Sequence, residues 1–171
     1  NHPGANHLYI HAVEAQHPEW GVDQAERLED LVPGAGHLVH MPSHIYIRVG
    51  RYHEASLANE RAIDADEEYN TQCHAQGLYP IAYLPHNYHF LWTTTTFEGR
   101  GARAIEAAGQ MSARIDTAQM REPGLGTLQH YWITPLYAEI RFGKWNAILA
   151  REKPADDLVY PRSIWHYAQA M

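Results

Sequence analysis

Three histidines, His37, His40 and His44, fall within the stretch PGAGHLVHMPSHIYIRVG at residues 33 to 50. A neutral imidazole offers one nitrogen lone pair, the donor that zinc, copper, iron and nickel accept, whereas hard cations want oxygen. His40 with His44, and His7 with His11, have the i, i+4 spacing by which one helix presents two ligands to one ion. Glu14 is the nearest carboxylate to the second pair. The chain has 13 histidines and one cysteine, so any multidentate site is built from imidazole and carboxylate, with no thiolate cage and no organic cofactor implied. The phrase H-E-x-x-H, which places a general base between two ligands, does not occur.

The histidines keep a register. HPGANHLYIH at residues 2 to 11 and VPGAGHLVHM at 32 to 41 share P-G-A-x-H-L, which aligns His7 with His37. Glycines at Gly50, Gly99 and Gly143 each follow a hydrophobic segment and open a helix-like run, in G-R-Y-H-E-A, G-R-G-A-R-A and G-K-W-N-A-I. Counting back 13 residues from each lands on His37, His86 and His130, and counting back 10 from the first two lands on His40 and His89. Tyr137 falls on the row of His130 and is the residue there able to donate a hydrogen bond to a bound ligand. Pro42 and Pro135 both lie eight residues before their turn glycines, where each either starts a helix or kinks one. If Pro42 kinks a continuous helix, His37, His40 and His44 share one face; if it starts one, His37 and His40 lie in the preceding turn.

The elements that must carry these residues are helices. After Gly50, Tyr52, Ala55, Leu57, Ala58, Ala62 and Ile63 recur mostly at three- and four-residue steps, and Ala102 to Ile115 repeats the pattern. Pro85 is placed to open the segment reaching Phe97, with Gly99 as its stop and four threonines, Thr93 to Thr96, inside it. No alternating strand pattern is present. Val39, Tyr46, Tyr88, Leu91, Trp92, Trp132 and Leu136 form the expected core face. The acidic run from Asp64 to Glu68 reads as a solvated helix end, and Glu139, set among apolar neighbours, needs a partner or exposure. His2, His17, His53 and His74 read as solvated or capping residues.

The helix, glycine-aromatic turn, second-helix arrangement resembles the tetratricopeptide repeat, a helix-turn-helix unit of about 34 residues. The best unit, 36 to 66, has the small residue and aromatic at the turn, Gly50 and Tyr52, and the alanines Ala55 and Ala62. It departs in having Pro42 and Ser43 at packing positions and in lacking the closing proline. Further units are expected at about 5–32, 85–116 and 129–152, with another beginning near 161–171 around His166, in one all-α domain over 1–171. The resemblance is to a divergent bacterial repeat protein, as a fragment of a longer chain. It implies antiparallel helix pairs in a short right-handed superhelix whose concave groove receives the row of His37, His40 and His44.

The expected function is a helical-repeat binding scaffold whose groove holds a transition-metal ion through some of His7, His11, Glu14, His37, His40, His44, His86, His89 and His130. One alternative is a metal-free module that binds a peptide or protein partner in the groove. A second is a metalloenzyme with an open coordination position and a base such as Glu14. A formal charge of −7 with scattered Lys and Arg excludes a nucleic-acid footprint, which needs a basic face, and no run of eighteen apolar residues suggests a membrane span. Nothing in the sequence fixes the compartment.

Overall fold

The computed structural model of the chain describes residues 2–73 and 78–171, with the side chains of 73 and 78–82 excepted. The described residues are helical, with no strand among them. The helices are α1 (Pro3–Val13), α2 (Val22–Leu28), α3 (Gly36–His40), α4 (Pro42–Tyr46), α5 (Tyr52–Cys73), α6 (Leu78–Phe97), α7 (Gly101–Ala113), α8 (Thr127–Arg141), α9 (Trp145–Ala150) and α10 (Val159–Ala170). Among the described residues no helix is long and apolar enough to cross a membrane. The chain divides into two compact units at Gly99 and Arg100.

The turn glycines read from the sequence do what the spacing requires. Gly50, Gly99 and Gly143 have φ of 82°, 75° and 64°, a left-handed conformation that costs a residue with a Cβ. Two of these turns also close a helix end. The Arg51 amide donates to the Tyr46 carbonyl and the Lys144 amide to that of Glu139, the six-to-one bond that satisfies an orphan carbonyl at a helix C-terminus.

In the first unit α3 and α4 lie on α5, α5 pairs with α6, and α1 and α2 pack together and against α4. Close approach is possible because the face of α5 is built of small residues, with Ala55, Ala58 and Ala62 fully buried. Gly36 is equally constrained: a methyl group there would overlap the Asp66 carboxylate and the Ala62 carbonyl. Ile10, Leu28, Met41, Ile45 and Tyr46 fill the core under α1, α2 and α4. Of the residues expected in the core, Val39, Tyr46, Tyr88 and Leu91 are buried and Trp92 is half-buried.

Several local expectations change. Pro42 opens α4 at its first helical position, yet Met41 before it keeps right-handed helical angles (φ −53°, ψ −36°). The chain therefore runs from Gly36 to Tyr46 as two short helices with one helical residue between them, so both readings of Pro42 hold in part. Pro85 does not open its helix, because α6 begins at Leu78 and carries Pro85 inside it. The acidic run is not a solvated end: α5 continues to Cys73, and Asp66 is buried and accepts from Asn87 Nδ2 at 2.8 Å. The threonines of α6 are tolerated because the hydroxyls of Thr93, Thr95 and Thr96 each donate to a carbonyl four residues back, at 2.6–2.8 Å.

In the second unit α7 packs on α8, and α8 on α9 and α10. Ala104, Ala107, Ala108 and Met111 present the buried stripe of α7, while Ile133, Leu136, Ile148 and Ala168 make a core with half-buried Trp132 around it. Pro135 lies inside α8, and Ser112 of α7 donates to the Trp132 carbonyl in the preceding turn at 2.7 Å. Glu139 finds its partner in Arg151, which binds it with two nitrogens at 2.8 and 2.6 Å.

Candidate metal centre

Six histidines and one glutamate of the first unit converge. His7 and His11 come from one face of α1, with Glu14 just past its end; His37 and His40 from α3, His44 from α4 and His86 from α6. They form three overlapping groups, His40–His44–His86, His7–His11–His37 and His11–Glu14–His44, within each of which the ligand atoms lie within 4.8 Å of one another.

The innermost group is the most constrained. His40 is fully buried, and its Nδ1 lies 2.7 Å from Asn59 Oδ1. The Asn59 amide is itself oriented, since its Nδ2 donates to the Ala55 carbonyl at 2.7 Å. His40 therefore carries its proton on Nδ1 and directs the Nε2 lone pair inward. That lone pair faces His44 Nε2 at 2.9 Å and His86 Nε2 at 3.1 Å. His44 in turn gives its Nδ1 to Glu14 Oε2 at 2.7 Å. Asn59 and Glu14 thus stand behind two of the three rings, the arrangement that fixes tautomer and orientation in histidine metal sites. Phe90 covers the group, with ring centroids 4.6–4.8 Å from those of His40, His44 and His86.

The second group is more open. His7 Nε2 and His37 Nε2 approach to 3.2 Å, and His11, with its side chain 40% exposed, places Nδ1 at 2.9 Å from Glu14 Oε1. Both oxygens of Glu14 are therefore engaged, one by a histidine from each group.

Electrostatics follow from burial. Desolvation drives His40 well below the ordinary imidazole range, with the charges of His44 and His86 adding to it. Burial likewise brings His37 and His86 down to about 4, so these rings are neutral near pH 7 and available as donors. Burial alone would raise Glu14, but the hydrogen bonds from His44 and His11 outweigh it and hold the carboxyl at about 2. A carboxylate held that low is a poor general base near neutrality.

The sequence register is split by the fold. The aligned pair His7 and His37 touch, and His40 meets His86, but the row His37, His40, His44 is divided between two groups. His89 is half-buried beside Trp92 at 5.1 Å and joins none of the convergent groups among the described residues. His130 belongs to the second unit, where its Nδ1 lies 2.8 Å from the Tyr160 hydroxyl, which is also 3.1 Å from that of Tyr137. That unit has a separate cleft of about 460 Å³ lined by Trp132, Arg151, Lys153 and Trp165, with no cluster of ligating groups.

Of the remaining histidines, His2 caps α1 through Nδ1, His17 stacks on Trp20 and His53 meets Glu98 at 3.0 Å. His74 lies outside the described residues. Asn59, Phe90 and Ser43, whose hydroxyl lies 3.3 Å from His40 Nδ1, are the contributors that sequence reasoning passed over. A signal for Asn59 existed: with Ala55, Ala62 and Asp66 it falls on the small-residue stripe of α5, where a polar side chain has to find a buried partner.

Compared with known proteins, the chain matches no family profile, no curated protein and no solved structure.

Proposed function

We propose that the protein is a helical scaffold that binds a transition-metal ion through His40, His44 and His86. The observation that carries this reading is that the single Nε2 lone pair of His40 faces two other imidazole nitrogens, at 2.9 and 3.1 Å. A proton between His40 and His44 satisfies one approach and leaves the other competing for the same lone pair. A cation at the centre serves all three. Tetrahedral ligation at about 2.0–2.1 Å separates nitrogens by roughly 3.3 Å, so the two approaches to His40, at 2.9 and 3.1 Å, need to open by only a few tenths of an ångström. An all-imidazole donor set with a carboxylate behind it suits zinc, copper, iron or nickel.

The finer architectural reading, a superhelix of tetratricopeptide-like repeats, is supported by the short helix pairs and by the left-handed glycines at Gly50, Gly99 and Gly143. A peptide-binding groove without metal is the less economical reading, because His40, His44 and His86 turn their Nε2 atoms toward one another in the interior, with Asn59 and Glu14 holding the outer nitrogens of His40 and His44. The test is elemental analysis of protein purified without an affinity tag or chelator. One or more equivalents of a transition metal, lost with His86→Gln, is expected; a metal-free protein that also takes up none of the four ions in titration contradicts the reading.

A further inference from the structure

The geometry points to a second metal site at His7, His11 and His37, joined to the first through Glu14 and open to solvent. Sharing Glu14 is the only respect in which this site depends on the reading of His40, His44 and His86 as ligands.

The argument starts from the carboxylate. Glu14 is only 17% exposed, and its two oxygens part company: Oε2 accepts from His44 Nδ1 at 2.7 Å and Oε1 from His11 Nδ1 at 2.9 Å. Each hydrogen bond fixes the proton of its ring on Nδ1 and leaves Nε2 as the donor. What Glu14 does for the first group through His44 it therefore does for the other through His11. One carboxylate orients one ligand in each.

The remaining members fit the same role. His7 lies one helical turn before His11, their ring centroids 4.8 Å apart, and so supplies the second donor from the same face of α1. His37 brings Nε2 to 3.2 Å from His7 Nε2. Its other nitrogen, Nδ1, is buried with no hydrogen-bond partner. If Nε2 carries the proton to His7, Nδ1 is a buried acceptor left without a donor; if Nδ1 carries it, that N–H is a buried donor left without an acceptor, and Nε2 presents its lone pair toward His7. No proton placement gives Nδ1 a partner, and the tautomer protonated there turns Nε2 toward His7 as a donor for an ion. The three ligand atoms lie within 4.8 Å of one another.

The two groups differ in access. Phe90 contacts all three rings of the buried group, whereas His11 at the other is exposed. Three imidazoles on an accessible ion leave a fourth position to water or a small anion, the pattern of a site that exchanges ligands.

Cobalt(II) is the probe, because its bound stoichiometry is read by elemental analysis and its ligand field by visible absorption. Tag-free protein stripped with chelator and reloaded is expected to hold two equivalents. His7→Gln and the exposed variant His11→Ala each reduce this to one, and His86→Gln also leaves one. Azide alters the spectrum of wild type and of His86→Gln but not of His7→Gln. One equivalent in wild type that His86→Gln removes and His11→Ala leaves intact overturns the second site and keeps the first. One equivalent with the opposite pattern overturns the buried site instead. A single ion lost with either variant replaces the pair by one shared site, and no bound cobalt overturns both. Two equivalents with no azide response overturn the open position.

Discussion

His40 and His44 face each other nitrogen to nitrogen at 2.9 Å, while the outer nitrogen of each is already committed, to Asn59 at 2.7 Å and to Glu14 at 2.7 Å. Side chains from α3, α4 and α5, together with the Glu14 carboxylate, fix this relationship, so its disruption can be approached from several directions.

Asn59 is the first. Asn59→Ala leaves the His40 Nδ1 proton buried without an acceptor and frees the ring to change tautomer. Metal affinity is expected to fall about 10- to 100-fold, with a stability loss of about 1–3 kcal/mol. Competition against a chromophoric chelator and urea unfolding read the two effects separately. Unchanged affinity would mean that His40 is not a ligand.

Gly36 is the second. A Cβ here meets the Asp66 carboxylate and the Ala62 carbonyl, so Gly36→Ala must push α3 away from α5. The expected cost is about 1–3 kcal/mol, accompanied by weaker metal binding, because His37 and His40 ride on the displaced helix. Urea unfolding midpoints with and without metal check this.

The helices, the turn glycines at 50, 99 and 143, and most of the convergent histidines were legible in the sequence because each is a local signal: periodicity, a required positive φ, an i, i+4 spacing. The pairing of histidines was legible only in part. Alignment of repeated phrases brought His7 to His37, but the register extended equally to His89 and His130, since spacing along a chain does not say which face of a helix a neighbour covers. Asp66 was misread for the same reason: an acidic run looks solvated until the helix that buries one member of it, α6, is in place. Pro85 misled because a proline inside a helix and one at its start have the same sequence, and only the residues before it decide.

In the metal-free protein, stability should depend on pH in a defined window. An unfolded histidine takes up its proton near about 6.5, while His37 and His86 in the folded chain hold off to about 4. Between these values the unfolded chain binds more protons, so stability rises with pH. It is full above about 6.5 and is lost as pH falls toward 4. Thermal unfolding at pH 7.5, 5.5 and 4.5 checks the slope, which His37→Gln combined with His86→Gln should flatten. A melting temperature constant across the window contradicts the assigned burial.

The second unit offers an independent control. Arg151 pairs with both oxygens of Glu139, which is 7% exposed. Arg151→Ala leaves that carboxylate buried and unpaired, at an expected cost of about 1–3 kcal/mol, moderated because Arg151 is partly solvated. Metal stoichiometry should not change, and a loss of bound metal in this variant would place a ligand in the second unit.

Binding must also register as stability. An ion that binds only the folded chain at a hundred times its Kd adds about 2.7 kcal/mol. The melting temperature should therefore rise with metal in wild type and much less in His86→Gln.

The central claim is a shared ion at His40, His44 and His86, and the most direct measurement is a crystal of the metal-loaded protein recorded on both sides of the metal absorption edge. The account predicts an anomalous peak about 2.0–2.1 Å from the Nε2 atoms of all three residues, with Asn59 and Glu14 still on the outer nitrogens of His40 and His44. The absence of a peak there, with the His40 and His44 nitrogens still 2.9 Å apart, would contradict it.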